Sequence, residues 1–135
     1  MKLSVVIPAR NEAGNVGATV DGIRARLARE GIEYEIVVVD DASTDATPDE
    51  VEARAAADPA VRLVVNEGSH GFGYAVRCGL DAFTGDAVAI MMADGSDSPD
   101  DLVDMTQARY RSSRWKSGDG MWRRTSMIGR HLRGT

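Results

Sequence analysis

Cysteine and lysine are scarce in this 135-residue sequence, which has one cysteine, Cys78, and only two lysines, Lys2 and Lys116. A single cysteine excludes an internal disulfide and a zinc site built from several cysteines. No apolar run approaches the roughly 20 residues that a membrane-spanning helix needs. The amino terminus enters an apolar run directly, without the pattern of a signal peptide. We therefore expect a single-domain cytoplasmic protein with no transmembrane segment.

Basic residues are rare in most of the chain and concentrated at its end. Residues 1–104 carry 8 basic and 20 acidic side chains, whereas residues 105–135 carry 8 basic and 1 acidic. We expect a folded domain over 1–104 and a basic tail over 105–135. This tail is either solvated or disordered, or it is the truncated or frame-shifted end of a longer gene. A tail that binds nucleic acid or an anionic membrane is a third interpretation, but the acidity of residues 1–104 argues against a nucleic-acid partner.

Four short apolar runs, rich in β-branched residues, each end in polar and turn-forming residues. The runs are Leu3–Ile7, Ile36–Val39, Val61–Val65 and Val88–Met92. Unbroken apolar runs of this length are typical of strands that are buried on both faces, as in parallel sheets covered by helices. The sequence therefore predicts four buried strands.

Helical patterns separate these runs. The third helix has its predicted apolar stripe at Phe72, Val76, Leu80 and Phe83. The second helix is predicted to begin at Thr47, which caps it, while Glu50 returns a bond to that cap. A similar signal at Ser98 begins a fourth helix toward Tyr110. The order β-α-β-α-β-α-β-α predicts an α/β fold with a mainly parallel sheet and helices on both faces.

Two adjacent carboxylates, Asp40 and Asp41, follow the second strand. Ligands of parallel α/β sheets bind beyond the carboxyl ends of the strands, so these side chains could accept hydrogen bonds from a base or a ribose. Turn formation explains them equally well. A response-regulator receiver also has an acid pair at a strand end, but it needs a further aspartate and a later lysine. The third strand here ends in Asn66, and neither lysine suits that role.

A glycine-bearing segment, Gly68–Ala75, precedes the third helix. Glycines before a helix let backbone amides approach a phosphate, where the helix dipole favours negative charge. Arg77, one turn into the helix, could meet a diphosphate. On spacing alone, a glycine-bearing turn is an equally good interpretation, and Val76 stands where a dinucleotide fingerprint needs its third glycine.

Acidic residues also follow the fourth strand, at Asp94 and Asp97, with Ser96 between them. Carboxylates leaving a buried apolar strand are costly to hold unless they are solvated, hydrogen-bonded or bound to a cation. A hard divalent cation with phosphate co-ligands suits one or two carboxylates. The turn into the next helix explains Asp97 more readily than Asp94, so Asp94 is the leading candidate for a metal ligand.

Together these segments resemble the nucleotide-binding half of a family 2 glycosyltransferase with the GT-A fold, most closely the dolichyl-phosphate mannose synthase-like branch. The resemblance covers residues 3–103 and rests on the segments Ser4–Glu12, Ile36–Asp45, Asn66–Ala75, Gly85–Asp86 and Met92–Leu102. It implies a Rossmann-like half-domain that binds a UDP- or GDP-linked sugar. It also implies metal-dependent transfer of that sugar to an acceptor, such as a polyprenyl phosphate at the inner face of a membrane.

The resemblance also implies roles for individual residues. The expected nucleotide-binding residues are Pro8, Ala9, Arg10, Glu12, Asp40, Asp41, Gly71 and Arg77. Asp41, or Asp40, would meet the base. Asp94, with Ser96 or Asp97, would hold Mg²⁺ or Mn²⁺ on the diphosphate. The metal would neutralise charge on the departing nucleoside diphosphate.

Two departures from the family pattern define an alternative. The first acid of the Asp-x-Asp element falls on Met92, so that only its second acid, Asp94, is retained. The motifs of the acceptor side are not recognisable, and no catalytic base is identified. The alternative is a GT-A fragment or pseudoenzyme that binds nucleotide without turnover.

Overall fold

The computed structural model describes residues 1–111 and 121–123. Strands and helices alternate along the chain in the predicted order. They are β1 (Lys2–Ala9), α1 (Val16–Arg29), β2 (Glu33–Asp40), α2 (Thr47–Ala57), β3 (Val61–Val65), α3 (Phe72–Ala82), β4 (Ala87–Ile90), α4 (Pro99–Arg111) and β5 (Met121–Arg123). The fold class expected from the four apolar runs is confirmed.

The strands form one sheet in the order β3-β2-β1-β4-β5. The first four strands are parallel, and β5 runs antiparallel to β4 with Trp122 opposite Val88. The chain moves outward from β1 through β2 to β3, and then returns to β4 on the other side of β1. A topological switch point therefore lies between β1 and β4, and ligands of such sheets bind in the crevice that opens there.

Helices cover both faces of the sheet. Side chains alternate between the faces along each strand, so β1 buries Val5 and Ile7 on one side and Val6 on the other. The first side packs against α1, α2 and α4, and the second packs against α3. This two-sided burial is the physical reason for the unbroken apolar runs in the sequence.

Helix α3 lies against the sheet through most of the predicted stripe, because Leu80 and Phe83 are buried there and Val76 is partly buried, but Phe72 is not part of it. Phe72 is 56% exposed, whereas Ala75, Gly79 and Leu80 are buried. A Cβ added at Gly79 would overlap the side chain of Val6. The small residues thus allow a close approach of the helix backbone to the sheet. The prediction that Phe72 belongs to the buried stripe is wrong, because close packing through glycine turns the first residue of the helix toward solvent.

A buried carboxylate, Glu35, ties the α3–β4 connection to the sheet. Its Oε2 accepts hydrogen bonds from Ser4 Oγ at 2.5 Å, Thr84 Oγ1 at 2.9 Å and the Gly85 amide at 3.2 Å. Its Oε1 accepts one from Arg62 Nη2 at 3.2 Å. Burial alone would raise the pKa of Glu35, but the hydrogen bonds and the Arg62 charge together lower it to about 2. Glu35 pairs with Ser4 near the amino ends of the strands, away from the switch-point crevice.

The boundary predicted between residues 104 and 105 falls inside α4. Three residues of the predicted basic tail form β5 at the edge of the sheet, including Trp122. Residues 112–120 and 124–135, which contain the other tryptophan, Trp115, lie outside the described residues. Within the described part of the chain, no helix is long and apolar enough to cross a membrane.

Candidate functional site

Loops that follow β1, β2 and β4 meet at the carboxyl edge of the sheet. Asp41 follows β2 and Asp94 lies beyond β4, while β1 runs between these two strands. Because adjacent strands are about 4.8 Å apart, the strands that lead to the two acids are separated by roughly 10 Å. The expectation that Asp41 and Asp94 lie at the same edge is confirmed. The residues predicted at the end of β1 lie between them.

The β1–α1 loop is held by side chains from the β2–α2 segment. Backbone amides of residues 11–14 each donate a hydrogen bond to that segment. The acceptors are Ser43 Oγ at 3.0 Å, Thr47 Oγ1 at 2.8 Å, Asp45 Oδ2 at 3.2 Å and Glu50 Oε2 at 2.8 Å. These amides are therefore engaged within the protein, and the two loops form one unit.

This arrangement corrects the capping prediction for α2. Thr47 accepts its bond from the Glu12 amide and Glu50 accepts one from the Gly14 amide, both in the neighbouring loop. The residue before the helix, Ala46, provides no side-chain cap. The same two side chains could form a capping box or hydrogen bonds to a distant loop. Only the position of the β1–α1 loop decides which of these they form.

The end of β1 presents both buried and exposed groups to the crevice. Ala9 is buried, and its carbonyl accepts a hydrogen bond from the Asp41 amide at 2.9 Å. The Glu12 carbonyl accepts the amide of Val16 at 2.9 Å and so begins α1. Arg10 is exposed and makes no ion pair with any described residue. Pro8 precedes Ala9 in β1. The four residues predicted to bind the nucleotide here therefore lie at the end of β1 or just after it; they are Pro8, Ala9, Arg10 and Glu12.

The Asp41 carboxylate is buried and bonds to the β3–α3 loop. Its Oδ1 accepts Asn66 Nδ2 at 3.0 Å and contacts His70 Nδ1 at 2.8 Å, and its Oδ2 accepts the Gly71 amide at 2.8 Å. Burial opposes ionisation of Asp41, but the bonds from Gly71, His70 and Asn66 outweigh it and hold the pKa below its ordinary value. Gly71 has φ +132°, a conformation that favours glycine. The sequence suggested that the Gly71 amide binds a phosphate, but in the structure this amide donates to Asp41.

Asp40 is also buried, but it closes its own turn. Its Oδ1 accepts the amide of Ser43, three residues further along the chain, at 3.3 Å, a local side-chain-to-backbone bond that stabilises a turn. Its carbonyl accepts the Asn66 amide at 2.9 Å and so joins β2 to the loop after β3. The turn interpretation thus accounts for Asp40, whereas Asp41 organises the neighbouring loop.

Two residues of this cluster, Asn66 and His70, are absent from the set expected from the sequence. Asn66 directly follows β3, which pairs with β2, so its proximity to Asp41 follows from the strand order. It also donates to the Ser69 carbonyl at 2.8 Å and accepts the Gly68 amide at 3.2 Å. A polar residue at a strand end was the available signal, but its use depended on knowing which strands are neighbours.

Asp94 is exposed, and so are Ser96 and Asp97. Asp94 Oδ1 accepts the Ser96 amide at 2.9 Å, and hydrogen bonds from Ser96 lower the pKa of Asp94. Asp97 Oδ2 accepts the Met92 amide at 2.8 Å. Contrary to the expectation from the sequence, no burial cost favours a cation at Asp94, because solvent already reaches the carboxylate.

A cleft of about 250 Å³ lies between α1 and the β4–α4 loop. Asp94, Asp97, Asn15 and Thr19 are among its lining residues. Thr19 Oγ1 donates to the carbonyl of Ala93 at 2.9 Å and joins the two walls. No group of three or more His, Cys, Asp or Glu side chains that could hold a metal ion occurs among residues 1–111 and 121–123. Any cation at Asp94 would therefore take its remaining ligands from water or from its substrate.

The parallel sheet and its acidic carboxyl edge define a doubly wound α/β domain with a crevice at the switch point. The family model described as Glycosyl transferase family 2 matches residues 4–111, and the chain belongs to that family. The resemblance seen in the sequence is thereby confirmed.

Known relatives of the chain are longer proteins. Over 105 residues it is 38% identical to the succinoglycan biosynthesis protein ExoO of Rhizobium meliloti. This match covers 78% of this chain and 29% of the relative. Over 112 residues it is 34% identical to an undecaprenyl-phosphate mannosyltransferase of Micrococcus luteus, with coverages of 80% and 44%. The chain thus spans less than half the length of either protein.

A solved structure shows the same architecture. The mannosyltransferase PcManGT from Pyrobaculum calidifontis, in complex with GDP-Man and Mn²⁺, superposes with a TM-score of 0.66 at 32% identity. The match covers 78% of this chain and 31% of that chain. The GT-A half-domain expected from the sequence agrees with this likeness.

Proposed function

We propose that this chain binds a UDP- or GDP-linked sugar together with Mg²⁺ or Mn²⁺, and that the protein transfers the sugar to an acceptor. The observation that carries the proposal is the position of Asp41 and Asp94 at one sheet edge, on either side of β1. A ligand with a nucleoside at one end and a diphosphate at the other can lie along this edge. The nucleoside faces the Asp41 side and the diphosphate faces the Asp94 side.

The predicted nucleotide-binding residues divide between these two ends. Pro8, Ala9 and Glu12 line the nucleoside beside Asp40 and Asp41. Arg10 and Arg77 are exposed and make no ion pair among the described residues. Both guanidinium groups are thus free to pair with phosphate oxygens, which they bind in a bidentate geometry. Gly71 contributes indirectly, because its amide orders Asp41.

Asp94 is the proposed metal ligand, with Ser96 or Asp97 completing the protein's share. Their solvent exposure suits Mg²⁺ or Mn²⁺, which binds through one or two carboxylates, waters and substrate phosphates. Asp97 Oδ1 has no hydrogen-bond partner among the described residues. When bound, the cation supplies positive charge to the departing diphosphate. The residues present therefore fit a shared metal–diphosphate site.

The relatives support the substrate classes. The Micrococcus relative is named for undecaprenyl phosphate, and the Pyrobaculum structure holds GDP-Man with Mn²⁺. We therefore propose a polyprenyl phosphate as the acceptor class. Because such an acceptor is a membrane lipid, the protein would work in the cytoplasm, at the inner membrane face.

A binding module without turnover is the second candidate. Met92 occupies the position of the first acid of the Asp-x-Asp element, so the metal has one fewer carboxylate from that element. No group among the described residues is assigned as the acceptor-side base. Nucleotide binding and turnover are therefore tested separately.

Calorimetry tests the binding step. UDP and GDP are titrated into the protein with Mn²⁺ or with EDTA, and the stronger ligand identifies the base. We expect Mn²⁺ to tighten binding by about tenfold, or 1.4 kcal/mol, and Asp94→Asn to remove most of that gain. Asp81→Asn, at an exposed position of α3, is the matched control and should retain it. A nucleotide affinity that is the same with Mn²⁺ and with EDTA, and that Asp94→Asn leaves unchanged, contradicts the metal-assisted site.

Turnover is measured as release of nucleoside diphosphate from the sugar nucleotide in the presence of a polyprenyl phosphate. Release that requires both acceptor and metal supports the transferase. Tight, metal-dependent nucleotide binding without release supports the binding module. The two candidates thus give different results with the same protein sample.

A further inference from the structure

The hydrogen-bonding capacity of the Asp41 carboxylate is largely used inside the protein. An ionised carboxylate has about four acceptor positions, and Asp41 already receives Asn66, His70 and Gly71. Its side chain is only 5% exposed. A nucleoside therefore has little access to the acid that the sequence assigns to it.

His70 occupies the solvent side of the same contact. Its side chain is 43% exposed, and its Nδ1 lies 2.8 Å from Asp41 Oδ1. The low pKa of Asp41 keeps that carboxylate ionised and acceptor-only, so Nδ1 carries the shared proton. In the neutral imidazole this leaves Nε2 as an acceptor. The ring thus presents at the carboxyl edge an acceptor that Asp41 itself cannot offer.

We propose that His70 Nε2 contacts the nucleobase of the donor and accepts a hydrogen bond from its ring N–H, while Asp41 is a positioning residue that fixes the tautomer and orientation of His70. This inference rests on the proposed function, because it assumes that a nucleotide binds at this edge. The ligand chemistry is an imide or lactam N–H, which both uracil and guanine possess. A phosphate has no N–H to donate and would not use this acceptor.

The surrounding loop gives His70 a defined position. Asn66 bonds to Asp41, to the Ser69 carbonyl and to the Gly68 amide, so the residues before His70 are anchored. The Gly71 amide anchors the residue after it to Asp41 Oδ2. A side chain held on both sides in this way loses little freedom when it binds a ligand.

Three single variants separate the ligand contact from the loop structure. In His70→Asn the amide nitrogen replaces Nδ1 and preserves the bond to Asp41, but no atom replaces Nε2. His70→Gln instead places a polar group near the position of Nε2. Ser69→Ala is the matched control, because the described hydrogen bond of Ser69 uses only its carbonyl. Thermal unfolding of each variant reports whether the loop is intact.

Calorimetry with UDP, GDP and inorganic pyrophosphate in the presence of Mn²⁺ tests the proposal. Loss of one hydrogen bond predicts a five- to tenfold weaker affinity of His70→Asn for the preferred nucleotide, by order of magnitude. Pyrophosphate affinity and the melting temperature should stay at the wild-type values. Asp41→Asn should weaken nucleotide affinity by a similar factor. The double variant of Asp41 and His70 should bind the nucleotide only slightly more weakly than either single variant, because both residues act through one contact.

The outcomes are distinguishable from failure of the proposed function. Wild-type protein that binds no nucleotide overturns the proposed function itself. Wild-type protein that binds nucleotide while His70→Asn binds equally well overturns only the role of His70. Equal losses for nucleotide and pyrophosphate would place His70 at the diphosphate and also overturn the proposal.

Nuclear magnetic resonance adds a direct readout. The sequence has one other histidine, His131, so the ring ¹⁵N signals are assigned from the His70→Asn spectrum. We expect the Nε2 signal of His70 to shift on addition of the nucleotide and to remain unchanged on addition of pyrophosphate. If the Nε2 signal does not shift when the nucleotide is added, the proposed contact between His70 and the nucleobase is contradicted.

Discussion

Thr47 Oγ1 accepts a hydrogen bond from the backbone amide of Glu12 at 2.8 Å and donates one to Asp45. Thr47 begins α2 and is completely buried, whereas Glu12 precedes α1. One hydroxyl therefore joins the loops that follow two adjacent strands. These loops carry the residues proposed to bind the nucleoside, so their mutual position decides the shape of that pocket.

Replacement of Thr47 by valine should destabilise the fold. Valine has the same shape but leaves the Glu12 amide and one Asp45 oxygen without this partner, which costs about 1–3 kcal/mol. Urea unfolding measures the loss. Thr47→Ser keeps the hydroxyl and is the control; we expect it to be the more stable variant. Equal midpoints for the two variants would show that the hydroxyl bridge contributes nothing.

Two glycines of α3 should respond in opposite directions to alanine. Gly79→Ala places a methyl group against Val6 and 3.1 Å from Val39 Cγ2, so the helix must shift, at a cost of about 1–3 kcal/mol. Gly73→Ala meets nothing within 4 Å and should stabilise the helix by about 0.5–1 kcal/mol. Thermal melts of both variants measure the difference. A Gly79→Ala protein at least as stable as the wild type contradicts the close approach of α3.

The buried Glu35 should make stability fall at acid pH. Its pKa of about 2 in the folded protein lies below the ordinary value of 4.5. Its contribution is therefore complete above pH 4.5 and disappears as the pH falls toward 2; it is on the order of 3 kcal/mol at 1.36 kcal/mol per unit. Chemical unfolding across this range should show a weaker acid dependence for Glu35→Gln. Glu33→Gln, at an exposed position of the same strand, should behave like the wild type.

Relief of backbone strain at Ala42 should stabilise the protein. Ala42 has φ +62°, in the left-handed region, which costs a non-glycine residue about 1–2 kcal/mol. Ala42→Gly removes this cost but increases the freedom of the unfolded chain, so we expect a net gain of about 0.5–1 kcal/mol. Ala56→Gly, in α2, makes the same chemical change without relieving strain and should destabilise. A lower melting temperature for Ala42→Gly would contradict the expected relief.

Most of the fold was predictable because it depends on local patterns. Apolar runs such as Ile36–Val39 are buried on both faces, and turn-forming residues mark where each strand ends. Once the strands are parallel, their carboxyl ends must share an edge, so the sequence was enough to predict that Asp41 and Asp94 lie together. The short β5 was missed, because residues 121–123 carry no comparable run of apolar side chains.

The bonding of the candidate site was less predictable, because it depends on contacts between distant segments. The same sequence letters allow Asp41 to meet a base or a glycine amide, and allow Glu50 to cap its own helix or bind Gly14. The spacing of residues within one segment cannot show which amide of another loop lies within 3 Å. Likewise, the charge pattern around Asp94 could not show that solvent reaches it.

The order of strands and helices, the parallel sheet and the acidic edge follow from the sequence alone, because burial and turn formation are properties of short segments. The folded structure was needed to establish that Asp41 is enclosed by Asn66, His70 and Gly71, that Asp94 remains exposed, and that α3 packs through Gly79 rather than Phe72. These features depend on the distance and angle between elements that are far apart in the chain. Packing and long-range hydrogen bonds set that geometry, and neither is encoded in the spacing of residues within one element.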